Sequence, residues 1–248
     1  MSGILRVASY NLHSCIGGDR QCNPERTVKL LHELDADILA LQEVGTKGPV
    51  FEFDQFPLLE KHLGLNGVRG PNVRRGRNQF GNAVFTRGEI LNVHHIDLAV
   101  SPFEPRGAID CLIRLHGREI RVIAVHLGLF PHERRQQLNR LAAVLAQRVQ
   151  PLTVLLGDFN VFGPERRTLQ ICGAPAQLPK LRTFPARRPI MSLDRIWTIP
   201  NHSLLQMHDY KTSLSRQTSD HLPVIGEIEF LPARHARGGH HQPAQPSA

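Results

Sequence analysis

The stretch from Leu152 to Phe162, Leu-Thr-Val-Leu-Leu-Gly-Asp-Phe-Asn-Val-Phe, narrows the possible folds more than any other in the chain. Its apolar run stops at Gly157, and Asp158 and Asn160 follow at once. A short apolar run bounded in this way predicts a strand covered on both faces. Residues two apart on an extended chain point the same way. Asp158 and Asn160 would then leave the end of a core strand together, an acceptor for a hard cation beside an amide that both donates and accepts. The alternative for the same residues is a strand that closes in an Asx turn.

The pattern recurs along the chain. Ile4 to Tyr10 reads as a buried strand followed by Asn11, Leu12 and His13. Ile38 to Leu41 is another, tipped by Gln42 and Glu43. Ile109 to Leu115 and Glu119 to Leu127 form a hairpin across His116-Gly117-Arg118, and the second strand ends at His126. Leu193 to Trp197 carries Asp194 at its start, and Asp220 and His221 precede a last strand, Val224 to Phe230. Gly81 to Thr86, Ile90 to Leu98 and Ser203 to Lys211 are also strand-like. Asn23-Pro24-Glu25 is a helix start that runs to Leu34. A short helix is expected around Leu58 to Leu63. Pro131 opens a longer one, with Leu138, Leu141, Val144, Leu145 and Val149 at helical spacing before Gln150-Pro151 ends it. Val73 to Asn78 reads as a basic loop, and Gly163 to Pro189 as irregular. Strands interleaved with a few helices predict a layered α/β domain with sheets packed face to face, spanning residues 1–231. Residues 232–248 lack an apolar pattern and are expected to form a disordered tail.

Polar groups that follow apolar strands gather at one edge of the sheets, where a rigid scaffold holds the loops. The formal net charge is +8 with a pI near 9.9. Such a balance suits an anionic partner: nucleic acid, a phosphorylated metabolite or an anionic membrane surface. Arginines cluster at Arg74, Arg75 and Arg77, at Arg134 and Arg135, at Arg166 and Arg167, and at Arg187 and Arg188. Cys15, Cys22, Cys111 and Cys172 form neither a Cys-x-x-Cys pair nor a disulfide framework, which argues against a zinc knuckle. No apolar run approaches the roughly 20 residues of a membrane span. Met1 opens a short polar start rather than a leader, so a cytoplasmic monomer without a transmembrane segment is the expectation.

Five segments in order, Tyr10-Asn11-Leu12, Leu41-Gln42-Glu43-Val44, Gly157-Asp158-Phe159-Asn160, Leu193-Asp194-Arg195-Ile196 and Ser219-Asp220-His221-Leu222-Pro223-Val224, resemble the successive motifs of the endonuclease/exonuclease/phosphatase superfamily. That group includes deoxyribonuclease I, abasic-site nucleases, neutral sphingomyelinases and inositol polyphosphate phosphatases. The resemblance covers the chain from about Arg6 to Phe230. It implies a four-layer α/β/β/α sandwich, two packed mixed sheets flanked by helices, and Mg²⁺-dependent cleavage of a phosphoester, with Mn²⁺ a second candidate ion.

Chemistry and resemblance together suggest roles. Glu43 is the expected direct Mg²⁺ ligand, since Mg²⁺ takes one or two carboxylates with water and substrate phosphate. Asn11 would help to hold that metal or a phosphate oxygen. Asp158 would position or deprotonate the attacking water, and Asn160 would donate to the phosphate. His221 would donate to the charge developing on phosphorus or act as a base, with Asp194 orienting its ring. Asp220 would be a further metal ligand or fix the His221 loop. In the deoxyribonuclease I-like and sphingomyelinase-like branches a similar strand ends in a His, which implies a general acid or phosphate contact at His126. Abasic-site nucleases tend to carry a carboxylate two residues after the first Asn. His13 stands there instead, which weakens a second metal site. Arg106, before a strand and next to Gly107, offers a guanidinium fork for phosphate or is a surface arginine. Asn82 is a possible substrate contact. The leading expectation is a metal-dependent phosphodiesterase of endonuclease-like type. A phospholipid or small-molecule phosphoesterase and a non-catalytic phosphate-binding module are the alternatives.

Overall fold

The computed structural model describes residues 3–45, 54–75, 78–147 and 150–230. In chain order the elements are β1 (Gly3–Asn11), α1 (Pro24–Leu34), β2 (Ile38–Gly45), α2 (Gln55–Leu63), β3 (Asn66–Arg75), β4 (Asn78–Thr86), β5 (Glu89–Asp97), β6 (Gly107–Leu115), β7 (Arg118–His126), α3 (Pro131–Gln147), β8 (Thr153–Asp158), β9 (Asp194–Ile199), β10 (Leu204–Asp209), α4 (Ser215–Thr218) and β11 (Val224–Phe230). A six-stranded sheet has the order β10-β11-β1-β2-β4-β3, and a five-stranded sheet the order β5-β6-β7-β8-β9. Both mix parallel and antiparallel pairs.

The strands read as continuous apolar runs because both faces are covered. On β1, Leu5 and Val7 enter the core between the sheets, while Ala8 and Tyr10 face the helical layer of α1 and α2. On β8, Val154 and Leu156 enter the central core, whereas Leu155 joins Leu138 and Leu141 of α3 in the opposite outer layer. Period-two alternation on these strands therefore builds three apolar layers between four layers of structure. Asn23 caps α1 by accepting from the Arg26 backbone N–H, and Asp35 ends it in a left-handed conformation.

Local expectations fail where tertiary pairing dominates. The segment read as a basic loop at Val73 to Asn78 instead carries the end of β3 and the start of β4, paired with each other; Gly76 and Arg77 lie outside the described residues. Its strand signal was hidden because Gly67, Gly70, Pro71 and Asn72 break the apolar alternation of an edge strand with a register shift. The α2 helix begins earlier than its apolar residues suggested, since Asp54 caps it through the Phe56 N–H. The irregular stretch after Gly163 opens with a 3₁₀ run, Gly163–Cys172. Val149 and residues 232–248 lie outside the described residues.

Candidate active site

Strand register sets the site. The parallel pair β7–β8 places His126 opposite Asp158, and the antiparallel pair β8–β9 places Asp158 opposite Asp194. In the other sheet, parallel β1 and β2 bring Asn11 beside Gln42, with Glu43 next along. The chain entering β11 supplies Ser219, Asp220 and His221. These groups meet at one shared edge of the two sheets, in a cleft of about 440 Å³ whose lining includes Asn11, Glu43, Arg106, His126, Asp158, Asn160, Asp220 and His221. Asp194 lies behind His221 and is fully buried.

Two cleft residues hold strained backbone. Glu43 has φ 54° and Asn160 has φ 52°, both in the left-handed region that non-glycine residues rarely occupy. Glu43 sits where β2 shifts register against β4, between Leu41 and Val44, and this bulge turns its side chain into the cleft. Gly45 completes the bulge at φ 99°, where a Cβ would lie 1.8 Å from the Gln79 carbonyl oxygen. Asn160 follows the end of β8, so strand alternation does not carry it to the cleft. Its N–H donates to Asp158 Oδ1 at 3.0 Å, an Asx turn, and the left-handed residue completes the reversal. The Asx-turn reading of this pair is therefore the one that describes the backbone, and Asn160 reaches the cleft through that turn and not along an extended strand.

Asp158 is the centre of the arrangement and is 1% exposed. Its Oδ2 accepts from Asn11 Nδ2 at 3.2 Å and lies 3.7 Å from both His126 Nε2 and His221 Nε2. Burial raises the Asp158 carboxyl to about 6 against the pull of His221, with Asp194 adding to the rise. His221 Nδ1 is 2.9 Å from Asp194 Oδ2. Burial alone would push the imidazole down, but Asp194 and Asp158 outweigh it and raise it to about 10. The Phe184 ring, with its centroid 4.9 Å away, closes over His221.

On the other flank, Arg106 is buried, with one guanidinium nitrogen 3.1 Å from His126 Nδ1 and 3.2 Å from Glu104 Oε1. It is not a surface arginine. Glu104 lines the cleft and was not foreseen, because a Glu two residues from an Arg carries no sequence signal of its own. Ser219 was also missed, although it belongs to a quoted motif; its Oγ donates to the Asn11 carbonyl at 2.7 Å and tethers the β11 entry to β1. Arg195 is a third, buried beneath the site on the carbonyls of Asp194 and Val161.

Several expected placements change. Asn11 Oδ1 accepts the His13 N–H at 3.0 Å, while Nδ2 donates to Glu43 Oε1 and Asp158 Oδ2, each at 3.2 Å. In that network the amide nitrogen faces the two carboxylates, and Asn11 braces Glu43. Asn160 Nδ2 donates to the Leu127 carbonyl at 2.9 Å, which leaves one amide hydrogen for a ligand. Asp220 reaches the cleft, yet its contacts are Ser219 Oγ and, at 3.8 Å, His13 Nδ1. Asn82 is not a cleft residue: it is buried and donates from β4 to the Gly107 carbonyl of β6, tying the two sheets together. Arg134 is withdrawn from any basic patch, being 1% exposed and bonded to Glu165 and to the carbonyls of Gly128 and Leu129.

Asp158, Asp194 and His221 also have ligand atoms within 4.8 Å of one another. They do not suit a cation, because His221 and Asp194 are hydrogen-bonded to each other and the raised imidazole carries positive charge. Glu43 does suit one. It is a carboxylate open to the cleft on one side, its near neighbours being the Asn11 amide and, at 4.0 Å, His126 Nε2. Among the described residues no Lys or Arg pairs with it. A hard oxygen donor with free coordination on the solvent side is what Mg²⁺ takes, with water and phosphate completing the shell.

The fold and this cleft define a phosphoesterase-type scaffold. The chain belongs to the Endonuclease/Exonuclease/phosphatase family, whose pattern matches residues 8–221. It is similar to the uncharacterized protein YbhP of Escherichia coli (strain K12), 31% identical over 220 residues that cover 79% of this chain and 85% of that protein. Among solved structures it resembles the endonuclease/exonuclease/phosphatase from Bacteroides vulgatus, with TM-score 0.74 and 18% identity over 92% of this chain and all of that one. It also resembles D. rerio TDP2 complexed with single strand DNA product, with TM-score 0.67 and 16% identity over 91% of this chain and 98% of that one. No helix among the described residues is long and apolar enough to cross a membrane.

Proposed function

We propose that this chain is a metal-dependent phosphodiesterase in which water attacks phosphorus. The observation that carries the reading is the placement of Asp158. A buried carboxylate stands between two imidazoles, each at 3.7 Å, on the floor of a cleft whose other wall presents Glu43. Above its raised pKa, Asp158 is ionised and takes a proton from the attacking water. The water oxygen forms the new bond to phosphorus, and the opposite P–O bond breaks. The departing oxygen leaves with the electron pair of that bond and takes a proton from solvent. His221, held as imidazolium by Asp194 and Asp158, donates to a non-bridging phosphate oxygen as negative charge develops there. Asp194 is its positioning residue. His126 stands on the same side as the base, so it reaches a non-bridging oxygen and not the leaving group of an in-line displacement. Arg106 and the second amide hydrogen of Asn160 contact the phosphate with it. Glu43, braced by Asn11, would hold Mg²⁺ or Mn²⁺, whose chemistry is to neutralise charge on the phosphate and on the leaving oxygen. Asp220 is assigned to fixing the His221 loop.

A nucleic-acid substrate is supported by the net charge of +8 and by the DNA product bound to D. rerio TDP2. The test is hydrolysis of bis-p-nitrophenyl phosphate, plasmid DNA, an abasic-site duplex, RNA and a phospholipid, with Mg²⁺ and with EDTA, beside Glu43→Ala. EDTA-sensitive cleavage lost in Glu43→Ala is expected. Cleavage that survives both treatments would remove the metal and its ligand from the account.

A further inference from the structure

Glu43 is aimed into the cleft by a strained backbone, and the group that holds it there belongs to neither β1 nor β2. Asn11 and Gln42 are the last paired residues of these strands, and the Leu12 N–H still donates to the Gln42 carbonyl at 2.9 Å. Beyond that point the strands part. The chain leaving β1 turns through three successive residues in the left-handed region, His13, Ser14 and Cys15, at φ 47°, 53° and 60°. β2 runs on through Glu43 at φ 54° and Gly45 at φ 99°. Residues with a Cβ keep such angles only where their surroundings impose them.

Gln55 bridges the parted ends. It is the first residue of α2 and is fully buried. Its Nε2 donates to the Ser14 carbonyl at 2.6 Å, and its Oε1 accepts the Gly45 N–H at 3.0 Å. One side-chain amide thus takes over the hydrogen bonding that the two backbones stop exchanging, with a contact inside each strained run. The Cys22 thiol also reaches the Ser14 carbonyl, at 3.6 Å, but a thiol is a weak donor. The amide is itself anchored. Asp54 caps α2 through the Phe56 N–H and pairs with Arg69 of β3 at 2.6 Å, while Phe56 and Leu59 sit in the apolar layer beneath.

We propose that Gln55 is a positioning residue of the metal site, a clamp on the β1 and β2 exits that keeps the Glu43 carboxylate aimed at the cation. This rests on the metal-dependent reading above. Gln55 does not line the cleft, so it acts through Glu43 and never on the substrate. Without its amide, the Gly45 N–H and the Ser14 carbonyl each lose a buried partner, and the backbone around them relaxes toward ordinary φ values. The same turn supplies the His13 N–H to Asn11 Oδ1, so its relaxation also loosens the amide that braces Glu43.

The test is Mn²⁺ binding, followed by electron paramagnetic resonance, in the wild type, Gln55→Met, Gln55→Asn, Leu59→Ala and Glu43→Ala, with thermal unfolding beside it. Gln55→Met is close in size and makes neither hydrogen bond. Gln55→Asn keeps an amide that is one methylene short of both partners, and it carries the test if the first variant does not fold. Leu59→Ala destabilises the same helix from its apolar face and leaves the Gln55 amide in place. Mn²⁺ affinity should fall about 10–100-fold in the folded Gln55 variants and stay within about threefold of the wild type in Leu59→Ala, despite its lower melting temperature. Affinity within about threefold of the wild type in a folded Gln55 variant overturns the proposal. Equal weakening in Leu59→Ala overturns it too, because lost stability alone would then explain the effect. Wild-type binding that is lost in Glu43→Ala and kept in the Gln55 variants removes this proposal and leaves the metal reading standing. A wild type that binds no Mn²⁺, or binds it as well without Glu43, removes both.

Discussion

At the scale of single residues, the chemistry depends on groups held in states they would not adopt in water. His221 stays protonated because two carboxylates face it, and Asp158 has its pKa raised because it is buried. The sign of the pH dependence follows. Asp158 acts only when ionised, so activity should be lost as pH falls through about 6, and His221 acts when protonated, so activity should persist toward about 10. A kcat/KM profile checks both limbs, and an acid limb near the ordinary Asp range would remove Asp158 as the base. Asp194→Asn should lower kcat on the order of 10³-fold with KM little changed, because the imidazolium loses its counter-charge while the ring keeps a partner. It should also shift the His221 titration, followed by NMR, downward. Glu43 carries a different cost, since its φ of 54° strains a residue with a Cβ. Glu43→Gly should therefore be more stable than Glu43→Ala by about 1 kcal/mol in urea unfolding, while both are inactive.

At the scale of elements, β7, β8 and β9 act as a rack that sets His126, Asp158 and Asp194 in one row. Gly157 makes that close register possible. Its φ is 151°, and a Cβ there would meet the Val125 carbonyl oxygen at 2.0 Å. Gly157→Ala should force β7 and β8 apart, lower the melting temperature and reduce kcat, a joint loss that a conservative surface change would not give. Deeper in the same sheet, Arg121 makes a two-pronged ion pair with Asp110, at 2.8 and 2.7 Å, and also reaches the Val144 carbonyl of α3. Removing one partner leaves a buried charge, so Asp110→Ala should cost about 3–5 kcal/mol in urea unfolding, and Asp110→Leu/Arg121→Met should recover much of it. The row of strand-end polar groups was legible in the sequence because apolar runs stop abruptly at them. The bulge at Glu43, the left-handed turn at Asn160 and the inward amide of Asn11 were not. Each is fixed by a strand or loop distant in sequence: β4 for Glu43, the Leu127 carbonyl for Asn160, Asp158 for Asn11. Arg106 was visible only as one of two options, and its His126 partner appears only when β6 and β7 pair.

At the scale of the whole molecule, two sheets from different parts of the chain each contribute half of the cleft. Neither half holds both Glu43 and Asp158. The Asn11 amide and the Asn82 bridge to Gly107 join them across the seam, so site and core should form and melt together. The role of Asp158 as the base is decided by the steady-state rate of phosphodiester hydrolysis at saturating Mg²⁺ for the wild type and for Asp158→Asn. The two side chains are nearly the same size, and only one can accept a proton from water. A fall in kcat of about 10³-fold or more is expected, with the Mg²⁺ concentration for half-maximal rate nearly unchanged. A variant that keeps its rate within about tenfold of the wild type would contradict it, because so small an effect is below what a general base supplies.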